Sequence, residues 1–464
     1  MSGTTCDLAI IGAGPAGLAA ASVAADSGLA VCLLDEQRSP GGQIYRAIES
    51  SGLKTPAILG PDYADGADIV RRFRASKALY QDQATVWMVD RTEAGFDIAF
   101  SFPGGQKQIS AKRLIIATGA MERPVPVPGW TLPGVMSAGA AQILLKQSGI
   151  TPSGEIILAG SGPLLFLLAS QYVKAGVKIT AILETTTLRD RIYALQHLPK
   201  ALRASGYLRK GLAMISELRR AGVPVLSGVA DLNILGKVSA EQLRFSHRGA
   251  HRQMVADTVI LHEGVVPNTQ LPMALGCRMV WDRSQLCWRP ELGDYGATSE
   301  PGIYIAGDGG GIDGAKSAVL SGELAGLGVV QDLDGTKAAG NVSRIAELKS
   351  RLAADGAVRP FLERLYRPHL SLPADEAIVC RCEEITAGEI RRIAASGCSG
   401  PNQMKSFCRA GMGPCQGRMC SLTVTRLMAD VQQADPAEIG HYRLRMPIKP
   451  VTVAEMAQLA GPME

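Results

Sequence analysis

Six of the ten cysteines, Cys380, Cys382, Cys398, Cys408, Cys415 and Cys420, fall within 41 residues of a 464-residue chain. Thiolates are soft ligands for zinc and iron. A local cluster of them, in a large chain whose other cysteines are scattered, reads as a metal site in a reducing compartment and not as a disulfide framework. The runs Val379-Cys380-Arg-Cys382-Glu-Glu-Ile-Thr386 and Gly411-Met-Gly-Pro-Cys415-Gln-Gly-Arg-Met-Cys420 each carry two thiols, and a helical pattern over Ala387–Ala395 lies between them. Two such loops converging at one end of a small helical unit supply four ligands, for a four-thiolate zinc or a [2Fe–2S] centre. Structural zinc ribbons use two-residue knuckles; the single residue between Cys380 and Cys382 departs from that spacing.

A second kind of chemistry is written in glycines. Asp7-Leu-Ala-Ile-Ile-Gly12-Ala-Gly14-Pro-Ala-Gly17 is an apolar strand, a tight turn and the start of an alanine-rich helix, and a second strand ends at Asp35-Glu36. Gly12 permits the turn, Gly14 lets backbone approach a pyrophosphate, Gly17 allows close helix–strand packing, and Asp35 is placed to accept from ribose hydroxyls. A second copy runs through Gly160-Ser-Gly162-Pro-Leu-Leu165 to a strand ending at Glu184. Glu184 favours an unphosphorylated ribose, so the ligand there would be NAD and not NADP; Leu165 replaces the third glycine and leaves a retained fold without tight nucleotide binding as the alternative.

Leu114-Ile-Ile-Ala-Thr118-Gly119 and Gly302-Ile-Tyr-Ile-Ala-Gly307-Asp308 are further apolar strands ending in small residues. With the two fingerprints in this order, residues 6–330 resemble the two-dinucleotide-binding flavoproteins of the glutathione and thioredoxin reductase type. The resemblance implies an α/β fold, a Thr118-Gly119 strand closing the first domain, and an Asp308 that contacts the flavin ribityl and phosphate region. Disulfide reductase chemistry needs paired thiols beside the flavin. Residues 1–330 hold no C-x-x-C, and Cys6, Cys32, Cys277 and Cys287 read as buried structural thiols.

The cysteine loops resemble bacterioferritin-associated ferredoxin, which implies a [2Fe–2S] centre held by Cys380, Cys382, Cys415 and Cys420. The second pair, with four residues between its thiols, is wider than the ferredoxin's two-residue spacing, which makes Cys408 a competitor for the fourth place and leaves Cys398 a bystander. Gly41-Gly-Gln43-Ile-Tyr45-Arg46, Glu122-Arg-Pro-Val-Pro-Val-Pro-Gly-Trp130, the Gly411–Cys420 run and Arg445-Met-Pro-Ile-Lys449-Pro extend the likeness over nearly the whole chain. The chain is identified as a member of the A (alpha) subunits of heteromeric amine and amino-acid dehydrogenases, the opine oxidase, D-hydroxyproline dehydrogenase and hydrogen cyanide synthase type. That membership implies a partner FAD subunit resembling D-amino-acid oxidase, a further small subunit in some members, and an FMN at the subunit boundary. It also implies FAD, or another adenine nucleotide, at a first site made of Gly12, Gly14, Gly17, Asp35, Glu36, Gln43, Arg46, Thr118, Gly119 and Asp308, with Gly160, Gly162 and Glu184 lining the second.

These parts suggest a discontinuous nucleotide domain (1–120 and 271–330), a second dinucleotide domain (121–270), a helical spacer (331–375), a mainly helical [2Fe–2S] domain (376–435) and a tail (436–464). A formal charge of +5, read as spread along the chain, excludes a nucleic-acid footprint. The longest apolar stretch, 156–169, falls short of a membrane span, and Asp7 sits where a signal peptide would be basic. The expected protein is cytoplasmic, with peripheral membrane attachment through its electron acceptor as a variant. Amine oxidation delivers a hydride and an iron–sulfur centre takes single electrons, so a flavin must stand between them. The expected function is an electron-transfer subunit that relays electrons from the partner to a quinone or other acceptor. Its alternatives are a self-sufficient NADH-dependent reductase and a non-enzymatic iron–sulfur scaffold. No catalytic acid or base is assigned: His262, beside Glu263, reads as a satisfied structural histidine.

Overall fold

A computed structural model describes residues 4–53, 55–335, 341–369 and 371–459. The apolar run of the first fingerprint forms the strand Thr4–Ile11. It pairs in parallel with Val31–Leu34 on one side and Gly105–Ile116 on the other, and Ile303–Ile305 adds itself in parallel beyond. Antiparallel strands Gly95–Phe102 and Thr85–Thr92 extend the sheet to seven strands. The helix Pro15–Asp26 is nearly all small residues because it is clamped between this sheet and the helix Ala315–Leu333. Gly322 and Gly326 of the latter lie against Ala16 and Ala20, where a side chain would strike backbone.

Five parallel strands form the second sheet, in the order Val225–Ser227, Ala181–Glu184, Ile156–Ser161, Thr258–Glu263 and Val135–Ser137. The Ile156–Ser161, Ala181–Glu184 and Thr258–Glu263 strands are buried along their whole length, as strands covered on both faces must be. A two-stranded connector, Ala120–Glu122 against Val265–Pro267, joins the two sheets. The expected α/β architecture with two dinucleotide folds is the observed one.

Residues 342–365 form the helices Val342–Asp355 and Arg359–Leu365, which pack on both dinucleotide folds through Leu348 and Tyr366. The cysteine-bearing unit is a small helical layer, Ala387–Ala395, Pro401–Cys408 and Ser421–Gln432, closed by the hairpin Ile378–Cys380 and Ile385–Thr386. Thr386 caps the first of these helices through the amide of Glu389. Beyond that helical layer the chain is still packed in at two points: Tyr442 belongs to the core of the cysteine unit, and Ile448 to the core under the first sheet.

Candidate functional site

The first glycine turn behaves as its spacing demands. Gly12 has φ +108°, and a side chain there would run into the Ala117 carbonyl; one at Gly17 would strike the Gly12 carbonyl. Gly14 differs: a Cβ would meet only the Gly42 Cα, at 3.9 Å, so open space lies in front of the turn where a pyrophosphate is held. Gly41 donates to Ala13 across this opening, at 2.8 Å. Asp35 accepts from the Ala13 amide at 2.6 Å and the Gln37 amide at 2.8 Å, one bond per oxygen, so it braces the turn. Burial pushes its carboxyl above the usual range, opposed by those amides and by Arg46 and Lys449. Glu36 is ion-paired with Lys449 from the chain's far end.

Around the expected flavin end, Arg46 is buried. Its Nη2 donates to Gln43 at 2.9 Å, but its Nε has no partner among the described residues, nor has the buried Thr118 hydroxyl. Gly119, φ +63°, faces open space. Buried donors without partners cost free energy unless a ligand meets them, so this cradle fits a flavin dinucleotide. Asp308 accepts from the Asp313 and Gly314 amides and shapes the turn into Ala315–Leu333. Lys146 anchors the 43–46 loop through the carbonyls of Gln43 and Ile44, and burial pushes it down to about 7, aided by the Arg46 charge.

The second turn is built and then closed. Glu184 is taken by Arg191 and by Ser227, both at 2.6 Å. Ser161 bonds Thr186, and Thr185 bonds the fully buried Glu263 at 2.7 Å. Glu263 also accepts from the His369 amide at 3.1 Å, while the His369 ring meets Asp190 at 2.6 Å. Tyr366 lies against Phe166, three residues into the helix Pro163–Lys174 that follows Gly162, with ring centroids 6.3 Å apart. Burial pushes Tyr366 up to about 12, with nearby Glu184 adding. The 359–369 segment thus packs against Phe166 and Glu263, beside the second glycine turn. Leu165 is fully buried beneath it. His262 meets Glu122 at 2.5 Å and packs beside Gly162, as a satisfied structural histidine does.

The four candidate ligands meet in two pairs. Cys420 hydrogen-bonds to Cys380, and Cys382 to Cys415, with electrostatic coupling between the pairs. The Cys420 bond, followed by amides of Gly411, Glu383 and Cys382, brings Cys380 down to about 6 and pushes Cys420 up. Tyr442 places a buried hydroxyl, with no nitrogen or oxygen partner among the described residues, against Cys420. Cys398 and Cys408 instead bond the carbonyls of Gly400 and Met404, each at 3.5 Å. Among the described residues no three His, Cys, Asp or Glu side chains converge as one ion's ligands would. Cys380, Cys382, Cys415 and Cys420 would hold a [2Fe–2S] centre, whose charge the amides and the Tyr442 hydroxyl beside them would meet, and it would supply one-electron transfer.

Contacts that sequence reasoning missed join this unit to the flavin-type folds. Gln270 donates to the Cys415 carbonyl at 2.8 Å and accepts from Arg418 at 2.7 Å. Two residues earlier, the Asn268 amide bonds the Gly119 carbonyl at 2.9 Å, and Trp130 donates to the Ile378 carbonyl at 2.7 Å. The segment 268–270 therefore spans directly from the Thr118-Gly119 turn to the cysteine loop. The remaining thiols are buried, and burial pushes Cys6 up to about 12, Cys32 and Cys287 to about 11, and Cys277 above its ordinary value.

Residues 6–322 match the family model of pyridine nucleotide-disulphide oxidoreductases, and residues 374–460 match the sarcosine oxidase A3 domain. The A subunit of opine oxidase from Agrobacterium tumefaciens (strain Ach5) is 44% identical over 98% of this chain and 92% of its own length. The chain belongs to the family of opine oxidase A subunits. Within that family's wider circle, hydrogen cyanide synthase subunit HcnB of Pseudomonas aeruginosa is 31% identical over 97% of this chain and 98% of its own. The solved L-proline dehydrogenase from P. horikoshii shares the fold, with a TM-score of 0.70 at 20% identity over 98% of this chain and 79% of that one. This opine oxidase A-type chain is an oxidoreductase subunit, and relatives named as subunits imply other subunits beside it. None of its described helices is long and apolar enough to cross a membrane.

Proposed function

We propose that this chain is the electron-transfer subunit of a heteromeric dehydrogenase acting on the CH–NH bond of an opine, D-hydroxyproline or a related imino acid. The substrate is oxidised on a partner FAD subunit resembling D-amino-acid oxidase, and electrons pass through flavin to a [2Fe–2S] centre and on to a quinone or other acceptor. The observation that carries this reading is the 268–270 bridge, which ties the Thr118-Gly119 end of a flavin-type cradle to the loop bearing Cys415. A flavin takes two electrons as a hydride and gives them up singly, which a [2Fe–2S] centre alone cannot do.

The residues divide the work. The Gly14 opening receives the nucleotide phosphates, Arg46 and Thr118 offer donors to the bound group, and Asp35 holds the adenosine end. Gln270 keeps the cysteine loop seated, with the Arg418 cation beside Cys415. Amine-dependent dye reduction is expected to be absent from the isolated chain and to appear when the partner subunit, co-purified from the native source, is added. Sustained turnover of imino or opine substrates by the chain alone would overturn the relay.

The closed second cleft argues against an NADH-driven reductase. NADH added to the purified chain is expected to leave its flavin absorbance unchanged, because Tyr366 and the His369 amide are packed against Phe166 and Glu263 beside the second turn. Rapid bleaching would show that the 359–369 segment swings out and would restore the reductase reading.

A further inference from the structure

The tail motif Arg445-Met-Pro-Ile-Lys449-Pro plays no part in the relay, yet it ends at the first nucleotide site. Seven residues beyond Tyr442, whose hydroxyl lies against Cys420, the Lys449 ammonium pairs with Glu36. The chain between these two points is tied down at both ends. Lys405 donates to the Arg443 carbonyl at 3.1 Å and the Arg443 amide donates to Asn402 at 2.7 Å, both partners lying on the helix Pro401–Cys408 of the cysteine unit. At the far end the Ile448 side chain is buried in the core under the first sheet, and its amide donates to the Trp87 carbonyl at 2.9 Å. Beyond it the helix Val453–Leu459 packs on the strand Gly105–Ile116. A surface lysine ordinarily keeps its ammonium in water. Lys449 instead is delivered by a fixed backbone, with its side chain only 21% exposed.

Asp35 and Glu36 stand where the strand Val31–Leu34 runs out beside the first glycine turn. The Gly12 amide donates to the Leu34 carbonyl at 2.8 Å and the Ala13 amide to Asp35. In a dinucleotide fold an acid at this strand end meets ribose hydroxyls. Asp35 has given one bond from each oxygen to main-chain amides, whereas Glu36, 47% exposed, has no partner but Lys449 among the described residues. Unheld, so exposed a carboxylate would have to be ordered at the moment of binding, which costs affinity. Adjoining carboxylates also repel each other. Lys449 on Glu36, with Arg46 and Lys449 both acting on Asp35, leaves two acids matched by two cations. A nucleotide bearing a 2′-phosphate finds no cation to spare there.

We infer that Lys449 is a positioning residue of the first nucleotide site, holding Glu36 ready for ribose hydroxyls and making the site selective for a nucleotide with a free 2′-hydroxyl. The inference rests on the reading of the Gly12–Gly17 turn as the flavin dinucleotide site, and it adds the far end of the chain to that site. The cation acts through Glu36 and not on the flavin, so its effect is confined to the adenosine half of the ligand. The same strap seats Tyr442 at the cysteine loops, so the adenosine site is completed by chain that leaves the cysteine unit.

The test is calorimetric titration of the flavin-free full chain with FAD, ADP and 2′-deoxy-ADP. The unaltered chain is expected to bind FAD and to prefer ADP over 2′-deoxy-ADP about tenfold, as a hydrogen bond to a charged acceptor provides. Lys449→Met should weaken FAD and ADP about tenfold, leave 2′-deoxy-ADP nearly unchanged, and so erase the preference. Lys449→Arg keeps the cation and should restore it. Glu36→Gln should behave as Lys449→Met does, and the two changes together should be no worse than either alone, because both remove one contact. Melting temperatures of the nucleotide-free variants should match that of the unaltered chain. A tail that only braces the fold would instead lower the melting temperature and weaken all three ligands alike, with the ribose preference intact, which would overturn the inference. An unchanged FAD affinity and ribose preference in Lys449→Met would overturn it too, while leaving the flavin site standing. An unaltered chain that binds neither FAD nor ADP, or FAD binding undiminished by Gly14→Val, would overturn the site itself and this role with it.

Discussion

Serine at Cys380, Cys382, Cys415 or Cys420 is expected to remove the rhombic S = 1/2 EPR signal of the reduced protein. Each should also bring iron and acid-labile sulfide well below the about two of each per chain that a [2Fe–2S] centre contains. Serine at Cys398 or Cys408 is expected to leave signal and content nearly intact. The geometry behind the difference is plain. Cys380 and Cys420 form one touching pair and Cys382 and Cys415 the other, and each pair senses the other's charge. Cys408 and Cys398 spend their thiols on main-chain carbonyls of their own helix or turn. Loss of the signal in Cys408→Ser with retention in Cys420→Ser would keep an electron carrier and move its fourth ligand. Stoichiometric zinc without iron would end the carrier role, since zinc has no redox chemistry to offer.

The two glycine turns and the four thiols were legible because their information is local. A strand, a turn and a helix within about thirty residues define a dinucleotide fold, and two pairs of cysteines on short loops mark a candidate ligand set. What stayed hidden depends on how distant segments dock. Gln270 reaches Cys415 across 145 residues, and Trp130 reaches Ile378 across 248; neither residue carries a local signal for its partner. The mixed-charge stretch 332–375 reads as a spacer, yet Tyr366 and His369 pack against Phe166 and Glu263, contacts that exist only once the second sheet has formed. Asp35 was visible as an acid at the end of a strand; that both its oxygens also brace backbone amides was not.

The same docking changes what valine does at the two glycine turns. At Gly14, whose backbone is extended and whose Cβ direction is open, an added Cβ meets nothing in the protein closer than the Gly42 Cα at 3.9 Å. Gly14→Val is therefore expected to keep the fold and melting temperature of the flavin-free chain while lowering bound flavin at least about tenfold, because the isopropyl group stands where the pyrophosphate must approach the helix terminus. From sequence alone, Gly162→Val would be the milder change, since the second turn looks degenerate. Its geometry says otherwise for the fold: Gly162 has φ +129°, and a Cβ would come within 2.8 Å of the His262 ring, itself pinned by Glu122. A strained backbone costs about 1–3 kcal/mol and an overpacked contact about as much again, a large share of a marginal stability of about 5–15 kcal/mol. Gly162→Val should thus lower the melting temperature by roughly 5–15 °C while the remaining folded protein still carries flavin. Differential scanning calorimetry beside flavin absorbance separates the two effects. A Gly14→Val protein that keeps its flavin would place the dinucleotide elsewhere than this turn, and a Gly162→Val protein that melts normally would mean the His262–Glu122 pair yields to the new side chain.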